Sequence, residues 1–362
     1  MICNSKEGIH IMSSRQMKSL VGLLAIIAVL FVSSMFFNCS NPISPIFKYT
    51  PTGLGHWKAV NNGLTDFLYV HCIAVSGSSI YAGASKGSDH GGAVFLSTDN
   101  GTNWTPVDSG LPYKPVMALT VSGSNIFTVL LDSGIFLSTD NGASWIEANS
   151  GLPRHVDYRG DTNISVQALA VSGNSIFAAT YPGDVFRSTD NGKNWTAANN
   201  GFTDSLYVKC IAVCGNNIFA GADNNYSTGG FIFVSNNNGS SWTKVGSTNT
   251  SISSLEVTGS NIFAGVDNGG LYLSTNNGLT WNSVNSTGLP QNCKKADNLT
   301  VSGIDIFGTP GVAGVYLSTN NGTSWTAFNN GLINPDVNAL VVSGSNIFAG
   351  SSGGGVFVSP LP

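Results

Sequence analysis

Ser97-Thr98-Asp99-Asn100-Gly101-Thr102-Asn103-Trp104 is one of six near copies of a single octapeptide. STDNGASW begins at Ser138, STDNGKNW at Ser188, SNNNGSSW at Ser235, STNNGLTW at Ser274 and STNNGTSW at Ser318. Ahead of each box lies an I-F/Y segment, starting at Ile80, Ile126, Ile176, Ile218, Ile262 and Ile306, with a seventh at Ile347. Ahead of that comes an L/I-x-V segment that closes on a glycine: Gly77, Gly123, Gly173, Gly215, Gly259, Gly303 and Gly344. The 7 tryptophans, Trp57, Trp104, Trp145, Trp195, Trp242, Trp281 and Trp325, all fall in one phase. Their mean spacing is about 45 residues, a repeat length that suits four short strands per unit.

Each unit divides accordingly. Strand A is the L-x-V segment, a short S-G-x-N turn leads into strand B at I-F-A-G, strand C is the Val94–Ser97 type, and strand D carries the tryptophan. Apolar residues alternate with small or polar ones, as in sheets packed face to face. The ends are complementary. The last unit stops after a strand C at Val356 to Ser359, and the first segment with any pattern is an orphan strand D, His56-Trp57-Lys58-Ala59-Val60. Pairing the two completes a seventh unit and removes the open edges that invite aggregation. The expectation is an all-β chain forming a single seven-bladed β-propeller of four-stranded antiparallel blades over residues 55–362.

Composition agrees with that reading. In 362 residues, 42% are hydrophobic, 9% are charged and 44 are glycine, which favours strands and tight turns over long helices. A net charge of −4 lacks the basic footprint of a nucleic-acid partner, so none is expected. At the N-terminus, Lys18 precedes an apolar run from Leu20 to Val32, the pattern of an export signal. Residues 1–39 therefore read as a leader and residues 40–54, with Pro42, Pro45 and Pro51, as a tether. Cys39 follows the apolar run and is similar in placement to the lipidated cysteine of bacterial lipoproteins, although Phe36 and Asn38 depart from the usual residues before it. The expected location is exported: periplasmic, cell-surface or secreted, touching a membrane only through the leader or a lipid.

The S-x-D/N-N-G-x-x-W box resembles that of the Asp-box (BNR) repeat family, over about 300 residues. The likeness extends to the propellers of photosystem II assembly factors, sortilin-type receptors and xyloglucan-cleaving glycosidases. In this reading Asp99, Asp140, Asp190, Asn237, Asn276 and Asn320 shape a turn by bonding backbone amides, the Asn-Gly pair supplies positive φ, and each tryptophan packs back on its own blade. The acid does not recur along the loop as a calcium site requires, so no metal and no cofactor are expected. The resemblance also implies that A–B and C–D turns share one face of the ring, and B–C and D–A loops the other.

That second face is irregular here, and irregular loops on a rigid scaffold are where binding concentrates. The longest D–A loop, Asn149 to Asn163, brings Arg154, His155, Tyr158 and Arg159 into a nearly uncharged chain. Two other entrances, TDFLYVHC from Thr65 and TDSLYVKC from Thr203, are near copies that put Tyr69, His71, Tyr207 and Lys209 at the mouth of the central channel. These eight residues are the candidate ligand contacts, for a protein or glycan partner.

Catalysis is less well supported. A sialidase grips its substrate with arginines from several blades, whereas Arg154, Arg159 and Arg187 all belong to one region. A glycoside hydrolase, the alternative function, needs two carboxyl groups within ~10 Å. Glu147 lies on an outer strand and Glu256 on an inner one where most other units carry Ala or Thr, and nothing in the sequence pairs them. No catalytic residue is assigned. Cys72, Cys210, Cys214 and Cys293 read as small buried thiols.

Overall fold

The computed structural model describes residues 53–64, 69–86, 91–156, 160–181, 183–202, 206–224, 229–267, 270–284, 287–290 and 297–362. The leader, Cys39, Tyr158, Arg159 and Cys293 lie outside them. The chain divides into two compact units, one of Phe47–His155 with Asn163–Pro362 and one of Met1–Ile46 with Val156–Thr162. The first is the propeller.

Its described strands form seven four-stranded antiparallel sheets, each in the order A-B-C-D. In blade one these are Tyr69–Ser76, Ser79–Ser85, Gly92–Ser97 and Thr105–Pro106. The seven A strands, Tyr69–Ser76, Val116–Ser122, Val166–Ser172, Leu206–Cys214, Ile252–Thr258, Asp297–Ser302 and Val337–Ser343, neighbour one another in a closed cycle and so line the axis. The D strands form the outer wall. Most are only two residues long and start just after the tryptophan rather than containing it, because the tryptophan's amide is bonded to the D–A loop of the preceding blade, as Trp104 to the Asn62 carbonyl and Trp145 to that of Ser109.

The seventh blade is completed as the repeat count requires. Lys58 pairs with Val358 and Ala59 with Phe357. The Val60 amide adds a bond to the Val356 carbonyl at 2.8 Å, and the His56 amide one to Ser359 Oγ at 2.9 Å. The ordered pairing begins slightly earlier than the sequence suggests: Leu54 donates to the Ala327 carbonyl and accepts from the Asn330 amide.

The I-F dipeptide of strand B explains the packing. Adjacent side chains of a strand point to opposite faces, so each isoleucine meets the preceding blade and each aromatic the following one. Phe177 and Phe127 illustrate this: Phe127 packs with Ile176, Ala178 and Trp195 of blade three, and Phe177 with Ile218, Ala220 and Trp242 of blade four. Seven such clusters lie at the seven blade boundaries. Each fully buried aromatic there contributes ~1.5–3 kcal/mol by area.

The boxes are local turns that also clamp these boundaries. In the first, Ser97 Oγ donates to Asp99 Oδ1 at 2.9 Å and accepts from the Gly101 amide at 2.8 Å, while Asp99 Oδ1 accepts from the Asn103 amide at 2.9 Å. Asn100, Asn141, Asn191, Asn238, Asn277 and Asn321 hold φ between 53° and 59°, the left-handed conformation asparagine tolerates best after glycine. The tryptophan does not act on its own blade alone. Trp104 Nε1 donates to the Val60 carbonyl at 2.8 Å, Trp195 to Ala148 at 2.8 Å and Trp242 to Ala198 at 2.8 Å, each on the outer strand or its end in the preceding blade. Trp145 and Trp57 do likewise. Trp281 and Trp325 instead donate to the glycine carbonyls of their own boxes, Gly278 and Gly322.

Candidate functional site

Loop-to-loop hydrogen bonds put the B–C and D–A loops on one face. Leu131 donates to the Pro115 carbonyl, Tyr181 to Ser165, Asp267 to Ser251 and Ser352 to Asp336, each joining a B–C loop to a D–A loop. On the other face box meets A–B turn, as where Asn238 Nδ2 donates to Ser175 Oγ at 3.2 Å.

All seven A strands carry a register irregularity near their start, on the irregular face: between Val70 and Cys72, Val116 and Ala118, Val166 and Ala168, Val208 and Cys210, Ile252 and Ser254, Asp297 and Thr300, and Val337 and Ala339. A bulge re-aims the extra residue. The bulged residues His71, Met117, Gln167, Lys209, Ser253 and Asn338, with Asn298 in blade six, form a mostly polar ring around the mouth of the channel. Only His71 and Lys209 were legible as site residues beforehand. An extra residue in a strand does not break an apolar pattern visibly enough to be read.

Within this ring the two copied entrances behave differently. His71 Nε2 lies 2.8 Å from Ser85 Oγ, and Tyr69 bridges to Ser352 of blade seven. In blade four the residue opposite Tyr207 is Asp223 rather than serine. Asp223 pairs with Lys209 Nζ, accepts from Ser251 Oγ, and accepts from the Ile252 amide at 3.0 Å. Lys209 Nζ also bonds Ser251 Oγ at 2.7 Å. The lysine is therefore held in a network that ties blade four to blade five, and its charge is already answered.

The structure brings together two candidates that stand 52 positions apart in sequence, through a third that the sequence reading passed over. His155 meets Tyr181 edge-on with ring centroids 5.2 Å apart, and Tyr181 meets Tyr207 at 5.5 Å. These spacings fall in the favourable range for aromatic pairs. The result is a continuous row of three rings across the boundary of blades three and four, beside the Lys209–Asp223 pair. His155 Nδ1 has no hydrogen-bond partner among the described residues. Tyr181 could have been found, since Leu131, Asp267 and Ser352 occupy the same loop position in other blades and only here is it aromatic. Arg154, the residue before His155, pairs instead with Glu147, Nη2 lying 3.5 Å from Oε1 with both side chains exposed. Tyr69 and His71 lie at the boundary of blades seven and one, away from it.

Burial sets the titration of the remaining groups. The Cys72 and Cys210 thiols are each pushed up to about 12 by burial, so neither is a nucleophile at neutral pH. Burial among the inner strands pushes the Glu256 carboxyl up to about 7. No group of His, Cys, Asp or Glu side chains suited to a metal ion occurs among the described residues.

A closed ring of seven four-stranded sheets with interblade cores defines the chain as a seven-bladed β-propeller. A family model described as DUF6242 beta propeller domain matches residues 161–300. No curated protein matches the sequence. Among solved structures, YCF48 from Cyanidioschyzon merolae aligns with a TM-score of 0.59 at 16% identity, covering 84% of this chain and 98% of that one. YCF48 bound to D1 peptide aligns at 0.57 and 16%, covering 88% and 99%. The GH74 xyloglucanase from Xanthomonas campestris gives 0.58 at 14%, covering 80% of this chain and 52% of that one. The extracellular domain of BT4673 from B. thetaiotaomicron gives 0.62 at 14%, covering 86% and 40%. The chain thus spans nearly all of YCF48 but only about half of the xyloglucanase and 40% of the BT4673 domain, and at these identities the likeness is one of fold.

Proposed function

We propose that this is an exported, membrane-anchored binding propeller that takes a peptide segment of a partner protein on its irregular face. The observation that carries the proposal is the His155–Tyr181–Tyr207 row. Rings on a rigid scaffold offer large contact area at little entropic cost, and aromatic side chains dominate the energy of protein interfaces. The polar bulge ring beside the row supplies donors and acceptors for a backbone, and the Lys209–Asp223 pair holds blades four and five together. The peptide-bound YCF48 supports a peptide as ligand for this architecture, and the extracellular domain of BT4673 supports an extracytoplasmic setting. Export through residues 1–39 and anchoring by a lipid on Cys39 complete the reading.

Hydrolysis of a polysaccharide is the second reading, favoured by the likeness to the xyloglucanase. Its weakness is chemical: Asp223, the buried acid of the irregular face, already has a cation, a hydroxyl and an amide as partners. The test is affinity capture with the wild-type chain, Tyr181→Ala and Tyr207→Ala, with circular dichroism melts alongside. Each substitution is expected to weaken capture of the partner about tenfold or more while the melting temperature shifts by only a few degrees. Capture unchanged in both variants contradicts the proposal, and turnover of a polysaccharide panel that is lost in Asp223→Asn establishes the alternative.

A further inference from the structure

A second site lies on the outer wall, between blades three and four, and shares no residue with the aromatic row. The residue before the box serine is Leu96, Leu137, Val234, Leu273, Leu317 or Val358 in six blades, where it packs at the boundary with the following blade. In blade three it is Arg187. Its side chain lines a groove of about 200 Å³ together with Thr196, Ala198, Asn200, Gly239 and Ser240.

The guanidinium is held at one edge only. Nε and Nη2 both donate to Ser175 Oγ, at 3.1 and 3.0 Å, and Ser175 is fixed from the other side by Asn238 Nδ2 at 3.2 Å. A guanidinium has five N–H groups, so its outer edge, two N–H on Nη1 and one on Nη2, is left without a bond to the described residues. No described carboxylate pairs with it. Among the described residues the carboxylate bonded to the lining is that of Asp184, held by Asn199 Nδ2, also in the lining, at 2.8 Å. A leucine would fill this boundary as it does in other blades. The arginine instead places a positioned cation in a cleft walled by hydroxyls and amides.

We propose that this groove binds the carboxylate of a uronic-acid residue, with Arg187 as its anchor. The free guanidinium edge matches a planar carboxylate in two parallel hydrogen bonds. The Ser240 hydroxyl and Asn200 Oδ1 are left to meet sugar hydroxyls, since Asn200 Nδ2 donates to the Ser240 carbonyl at 3.5 Å, and Thr196 Oγ1 can still accept while it donates to the Arg187 carbonyl at 3.3 Å; the volume suits a single pyranose ring rather than a folded segment.

The full chain is titrated calorimetrically with glucuronate and galacturonate, with glucose as the neutral counterpart, and with sulfate and N-acetylglutamate as anions from other sources. Arg187→Leu is the decisive variant because it restores the residue found in blades one, two, five and six, and its melting temperature is expected to equal or exceed the wild type's. Uronate binding that glucose, sulfate and N-acetylglutamate do not match, and that weakens about tenfold to a hundredfold in Arg187→Leu, supports the site. Absent uronate binding, equal binding of glucose or of either other anion, or binding that survives Arg187→Leu overturns it. None of these outcomes bears on capture by the aromatic row, which Tyr181→Ala and Tyr207→Ala test separately.

Discussion

Asp99, Asp140 and Asp190 accept where Asn237, Asn276 and Asn320 donate, and the residue four positions on changes to match. Asn103 Nδ2, Ser144 Oγ and Asn194 Nδ2 donate to the aspartates at 2.6 to 2.8 Å. Ser241, Thr280 and Ser324 accept from the asparagines at 2.8 Å. The same turn is thus built with opposite polarity in the two halves of the chain. The donors hold the aspartate carboxyls below their usual range, Asp190 at about 2, mainly through the Asn194 side chain. Glu256 moves the other way. Its carboxyl is higher in the folded chain, about 7, than in the unfolded one, about 4.3. Folding therefore binds a proton between those values, and stability falls as pH rises through that window and stays lower above it. Glu256→Thr, the residue at the matching position in blades two and six, is expected to raise the melting temperature at pH 8 and leave it unchanged at pH 4. An equal shift at both pH values would place the effect in packing rather than charge. At this scale the turn of each box was legible, because it is written in contiguous residues, whereas the partner of its tryptophan was not. Tyr181 was not, because its meaning comes from two rings brought to it by other blades.

Blades are joined by side chains that alternate along one strand and by tryptophans that reach across a boundary. The alternation was legible in the I-F dipeptide, but the direction of the tryptophan's bond was not, since sequence does not say which carbonyl lies beside an indole. Trp242→Phe keeps an aromatic side chain but loses the pyrrole half of the indole and its bond to Ala198, leaving a carbonyl unpaired at the boundary of blades three and four. The expected cost is ~1–3 kcal/mol, read as a lower urea midpoint with an unchanged slope. Trp281→Phe loses only a bond within its own box and is expected to cost less. Equal losses would show that the indole N–H does not hold the blades together. The bulges belong to this scale as well. They put His71, Lys209, Gln167, Ser253, Asn298 and Asn338 on one ring, and they escaped the sequence because an inserted residue leaves the apolar pattern on either side intact.

The ring itself was the most legible feature. Seven tryptophans in phase, a final unit lacking its outer strand and an initial strand lacking its unit leave little choice of topology. Both proposed sites depend on that closure: the aromatic row needs the irregular loops on one face, and the Arg187 groove needs a blade boundary. In the full chain, Lys58→Cys with Val358→Cys tests it directly, because these residues are partners in the register of the closing pair and strand partners of this kind stand within disulfide reach, about 5.5 Å between Cα atoms. On mild oxidation one intramolecular link is expected, identified by mass spectrometry of the joined peptides, together with a higher urea midpoint. Failure to link, or a link formed only between two chains, would contradict it.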